Sequence, residues 1–125
     1  MQRPTSLVVG YDGSESAKRA LGRAAALVGY GAQLAVVHVA AGPGELERSR
    51  ALLDEATAAL ERLRVFPQAI QRIGDPADEL IGLAGERSAD LLVVGNGKSA
   101  LERLLLGSVS TKLVHHAPCD VLVVR

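Results

Sequence analysis

The residues of this chain with the clearest chemical meaning are glycines and small polar groups in two short segments. One is Gly10-Tyr11-Asp12-Gly13-Ser14; the other runs from Gly95-Asn96-Gly97-Lys98 to Gly107-Ser108-Val109. Glycine lets backbone N–H groups come close to an oxyanion and adopts positive φ without strain. Gly107-Ser108 opens a helical pattern, whose free amides and positive dipole end favour an anion. Lys98 and Arg103 place cationic side chains in the same segment. The chemistry these residues suit is holding phosphate. Gly97-Lys98-Ser99 spells the end of a Walker A loop, but that motif needs a glycine five positions before Gly97, where Leu92 sits inside an apolar strand.

Other reactive residues do not assemble. His115 and His116 are adjacent on a helix and point about 100° apart, and Cys119 is a single thiol, too few soft ligands for a metal. His38, closing an apolar strand, reads as a packed, hydrogen-bonded core residue, and Cys119 as a small buried hydrophobe. No nucleophile pairs with a base and an orienting group, so no catalytic residue is assigned. A bound phosphate ester could at most be hydrolysed slowly, through stabilisation of phosphate charge alone.

The elements that position these segments alternate. Leu7-Val8-Val9 reads as a strand ended by Gly10, followed by a helix carrying Ala17, Ala20, Leu21, Ala24, Ala25 and Val28 on one stripe. Asp12 or Ser14 can cap that helix, and the spacing lets Glu15 reach back in a capping-box manner. Gln33 to Val39 is a second strand, closed by Ala40-Ala41-Gly42-Pro43-Gly44. A helix with Leu52, Leu53, Ala56, Leu60 and Leu63 follows. Val65 to Ile73 reads as a third strand. Pro76 suits the first turn of the next helix, where its missing N–H has no partner to lose. Leu91 to Val94 is a fourth strand, Ser108 can cap a last helix through Val109, Leu113 and Val114, and Val121 to Val124 is a fifth strand. Continuous apolar strands alternating with helices predict an α/β fold: one doubly wound, five-stranded parallel sheet with helices on both faces. Ligands of such sheets bind beyond the carboxyl ends of the strands, where the connections switch faces, so the two glycine-bearing segments are candidate walls of one crevice.

Composition bounds the rest. A chain of 125 residues is one domain, able to remove roughly two thirds of its unfolded surface from water. Fourteen basic and fourteen acidic residues cancel, which leaves no field to attract nucleic acid or an anionic membrane. At 2% aromatic residues, the chain also lacks the stacking platforms of single-strand binders. The absence of an 18-residue apolar run and of a signal-peptide pattern, together with the lone Cys119, predicts a cytoplasmic protein.

The chain resembles the universal stress protein family, the small α/β domains related to bacterial universal stress protein A. The resemblance spans residues 1–125 and rests on Val9-Gly10-Tyr11-Asp12-Gly13-Ser14-Glu15, His38-Val39, Gly74-Asp75-Pro76, Asp90 to Gly95, Leu104 to Ser110, and Ala117 to Val124. It implies an adenine nucleotide α hydrolase-like sheet in the order 3-2-1-4-5, and a stress-response or signalling module that binds ATP, with Mg²⁺. It also implies a homodimer through Val121 to Val124; the alternative is a nucleotide-independent dimer acting through protein contacts. Asp12 and Val39 would meet the adenine or ribose, Gly95 and Gly97 the ribose and phosphates, and Gly107 and Ser108 the terminal phosphates. Gly10, Lys98 and Val109 complete the expected set. ATP-binding members carry Gly, two residues, Gly, nine residues, Gly and then Ser or Thr. Here Gly97, nine residues and Gly107-Ser108 keep the longer half, while Asn96 alone separates Gly95 from Gly97, which implies a tighter loop. The connection after the second strand is also short, which implies a missing cover.

Overall fold

The structure, a computed structural model, describes residues 3–29, 31–98 and 105–125. Arg103 and the 99–104 part of the second glycine segment lie outside the described residues. The chain runs through β1 (Ser6–Gly10), α1 (Glu15–Leu27), β2 (Gln33–Ala40), a 3₁₀ turn (Pro43–Glu45), α2 (Leu46–Arg62), β3 (Gln68–Ile73), α3 (Pro76–Glu86), β4 (Leu91–Gly95), α4 (Ser108–His116) and β5 (Asp120–Val124). The sheet is parallel throughout, as the strand pattern predicts, and ordered β3-β2-β1-β4-β5, as the family resemblance implies.

Burial of the strands explains the two layers. In β1, Leu7 and Val9 face one side with α1 and α2, packed on Ala17, Ala20, Leu21, Ala56 and Leu60. Val8 faces the other side with Leu80, Leu83, Ala84 and Leu113 of α3 and α4. A central parallel strand covered on both faces has no polar side to spare, so Leu7, Val8 and Val9 are all fully buried. Asp90 locks the amino-terminal edge, accepting from Thr5 N at 2.9 Å, Thr5 Oγ1 at 3.0 Å and Ser6 N at 3.3 Å. The Thr5 amide, the largest influence, holds this carboxyl below the usual carboxylate range.

Four local readings of the sequence change. The third strand begins at Gln68, not Val65, because α2 ends in a left-handed turn at Arg64 (φ 64°) and Val65 N donates to Leu60 O at 3.0 Å. That strand is also an edge rather than a doubly covered run: Gln68, Ala69, Gln71 and Ile73 are exposed. Of the two candidate caps for α1, Ser14 does the work, its Oγ accepting from Ala17 N at 3.2 Å. Glu15 does not reach back as a capping box would; it pairs with Lys18. Asp12 instead accepts from Ser14 N at 2.9 Å. The cap position of α4 is Gly107, not Ser108, because the carbonyl of Gly107 already accepts Thr111 N at 2.9 Å, which makes Ser108 the first helical residue.

Candidate functional site

Sheet order reverses between β1 and β4, and a cavity of about 250 Å³ lies there, beyond the carboxyl ends of β1, β2 and β4. Its walls combine Val39, Pro76 and Leu80, which are apolar, with the Gly10-Tyr11-Asp12 turn and the Gly107 to Ser110 helix start. Of the residues expected at the site, Gly10, Asp12, Val39, Gly95, Gly97, Gly107, Ser108 and Val109 all line this cavity. Lys98 does not; its amide turns back to Asn96 Oδ1 at 3.1 Å.

The glycines serve different physical purposes. A Cβ on Gly95 would stand 2.4 Å from Ser16 Oγ and 2.6 Å from Ala17 N, so this glycine exists to let α1 close on the end of β4. A Cβ on Gly107 would stand 2.6 Å from the backbone oxygen of Asn96, so its bareness also serves packing within the chain. Gly97 has no atom of the described residues within 4 Å of the missing Cβ but a φ of 72°, which makes it the conformational glycine of the segment.

Asn96, which a glycine-spacing pattern passes over, organises the segment. It is 1% exposed, and its Nδ2 donates to Leu105 O at 3.3 Å while Oδ1 accepts from Lys98 N. Its own amide donates to Val124 O at 2.9 Å and its carbonyl accepts from Gly107 N at 2.9 Å. Ser110 Oγ adds a bond to Gly95 O at 3.0 Å. The end of β4, the end of β5 and the start of α4 are thereby held as one unit.

The electrostatics are divided. Gly107, the cap residue of α4, has no side chain to bond the helix start, and a helix starting at Ser108 leaves the amides of Ser108, Val109 and Ser110 without intrahelical acceptors. That end carries roughly half a positive charge. Asp12, which lines the same cavity, is an exposed carboxylate with one oxygen on Ser14 N. Tyr11, also missed by pattern reading, lines the cavity; its amide donates to Val37 O at 2.8 Å and its hydroxyl to Glu55. Burial first, then Glu55, push this phenol's pKa up, so it stays a neutral donor. His38 is buried with Nδ1 at 2.6 Å from Ser49 Oγ, as a packed strand histidine should be. Burial first, then Arg48, lower its pKa and keep the imidazole neutral near about pH 7. Cys119 is half-buried, its thiol pKa raised by burial. Among the described residues no group of His, Cys, Asp and Glu could hold a metal ion, and no helix is long and apolar enough to cross a membrane. The cavity therefore combines anion donors, a carboxylate acceptor and apolar walls.

Residues 5–125 match the family model described as the Universal stress protein family. Universal stress protein Rv1636 of Mycobacterium tuberculosis is 36% identical to this chain, the alignment covering 96% of the chain and 95% of that protein. A universal stress protein of Methanothermobacter thermautotrophicus is 44% identical over 73 residues, a match that spans 58% of this chain and 50% of that protein. Among solved structures, a universal stress protein in complex with cAMP superposes with a TM-score of 0.82 at 30% identity, covering 99% of both chains.

The Asn96 clamp gives a direct expectation. Asn96→Ala, which strands Leu105 O and Lys98 N, should lower unfolding free energy by about 1–3 kcal/mol in urea titration. Asn96→Asp should cost more than Asn96→Ala, because it turns a carboxylate oxygen toward the Leu105 carbonyl.

Proposed function

This chain belongs to the universal stress protein family, and on that premise we propose that its cavity binds an adenine nucleotide, ATP with Mg²⁺, within a single nucleotide-binding domain. The observation that carries the reading is the uncapped start of α4 opening on the same cavity as the Asp12 carboxylate. A phosphate chain is stabilised by the free amides of Ser108, Val109 and Ser110, and a ribose hydroxyl or an amino group donates to Asp12. Val39, Pro76 and Leu80 give a purine apolar contact, while the backbone of Gly10, Gly95, Gly97 and Gly107 lines the path between. Lys98 adds charge from outside the lining. The cAMP complex of a relative at 30% identity supports the ligand class.

The bound state then serves as a signal in a cytoplasmic stress-response module. Turnover is slow at most: His38 is engaged by the buried Ser49 hydroxyl, and neither is set up as a base for an attacking water. The rival reading is a nucleotide-independent dimer working through its surface. Titration calorimetry with ATP and Mg²⁺ separates the two: saturable heat is expected, and none at about 1 mM nucleotide overturns the reading. Asp12→Asn keeps the acceptor for Ser14 N and removes the charge. It should weaken binding about fivefold with little loss of stability, as a charge-assisted bond becomes a neutral one.

Either way, β5 is an apolar edge strand, and such an edge is a liability unless another chain covers it. We propose that a second copy pairs there. Val124 O accepts from Asn96 N, so the backbone groups of Val124 point inward and those of Val123 point to the open edge. Val123→Pro removes an outward N–H and leaves the β4 ladder intact. Light scattering should then report a dimer for the parent chain and a monomer for the variant; an unchanged mass would place the interface elsewhere.

A further inference from the structure

The stripe that α1 buries is made of Ala17, Ala20, Leu21 and Ala24, with one exception: Ser16, which is 0% exposed. A buried hydroxyl needs partners, and the partners of Ser16 lie at the candidate site. Its Oγ accepts from Gly97 N at 3.3 Å and stands 3.3 Å from Ser14 Oγ, the cap of its own helix. Gly95 makes this contact possible, since a Cβ there would overlap Ser16 Oγ at 2.4 Å.

Gly97 holds a φ of 72°, and among the described residues no atom stands within 4 Å of its Cβ position. Hydrogen bonds hold the peptides on both sides of it. On one side, Asn96 Oδ1 takes Lys98 N; on the other, Ser16 takes Gly97 N. We propose that Ser16 is a positioning residue of the nucleotide site: from the first turn of α1 it fixes the Gly97 peptide in the conformation that receives ligand. This rests on the nucleotide reading above for the identity of the ligand, but the contact itself is a property of the free protein. A hydroxyl at 16 rather than a methyl is thus a requirement of the loop 81 residues away in sequence, not of the helix.

The test is Ser16→Ala, read by amide hydrogen exchange and by calorimetry. Alanine is the better helix former and fits the volume, so the fold is retained. In the free variant, exchange at Gly97 should accelerate about tenfold, the loss of one hydrogen bond, with Leu92 and Val93 in β4 unchanged. Affinity for ATP with Mg²⁺ should fall by a similar factor. Unchanged exchange at Gly97, equal acceleration throughout β4, or faster exchange with unaltered affinity each overturn the proposal. Absence of nucleotide binding by the parent chain removes the ligand reading instead, and the exchange at Gly97 still decides whether Ser16 holds the loop.

Discussion

At the end of β4 a buried carboxamide meets three parts of the chain: Asn96 bonds Lys98 and Leu105 through its side chain, and Gly107 and Val124 through its backbone. The position of α4, and so the direction in which its free amides point, depends on these bonds. A buried amide left half-satisfied would cost more than it contributes, so the surrounding chain is constrained to supply every partner. Gly107 has no side chain because the Asn96 carbonyl occupies the space. Gly95 has none because α1 does. The single residue between Gly95 and Gly97 is thus buried and bonded on both its side chain and its backbone.

The fold was legible because its signals are redundant. Leu7-Val8-Val9 and Leu91 to Val94 are apolar without alternation, which only a sheet covered on both faces explains, and Pro76 and Ser14 sit where helix starts require them. Errors fell where a backbone bond at a helix end overrode the strand or cap pattern. Val65 looks like strand but is captured by the carbonyl of Leu60; Ser108 looks like a cap but follows the residue whose carbonyl opens the helix. The site was legible as a set of segments and not as a mechanism of support. Glycine spacing locates Gly95, Gly97 and Gly107, yet three bare positions with three different causes spell the same letter. Ser16 belongs to no glycine motif, and Tyr11 and Asn96 sit inside motifs that do not say what they bond: Ser16 reaches Gly97 and Tyr11 reaches Glu55, partners far along the chain that no spacing encodes.

Helix-start amides and the Asp12 carboxylate line one cavity in a chain with no net charge to steer ligands from a distance. Selection therefore falls to short-range contacts. Tyr11 and His38 both stay neutral beside Asp12, so the carboxylate keeps its acceptor role without a competing cation at its side. The start of α4 provides donors whose field acts within a turn or so of the terminus.

The most direct measurement of this account is an amide NMR titration of the full chain with ATP and Mg²⁺. Saturable shifts at Ser108, Val109, Ser110 and Gly97, joined by Asp12 and Val39, with β3 silent, are the result the account predicts. Shifts centred on α2 and β3, or none at about 1 mM nucleotide, would contradict it.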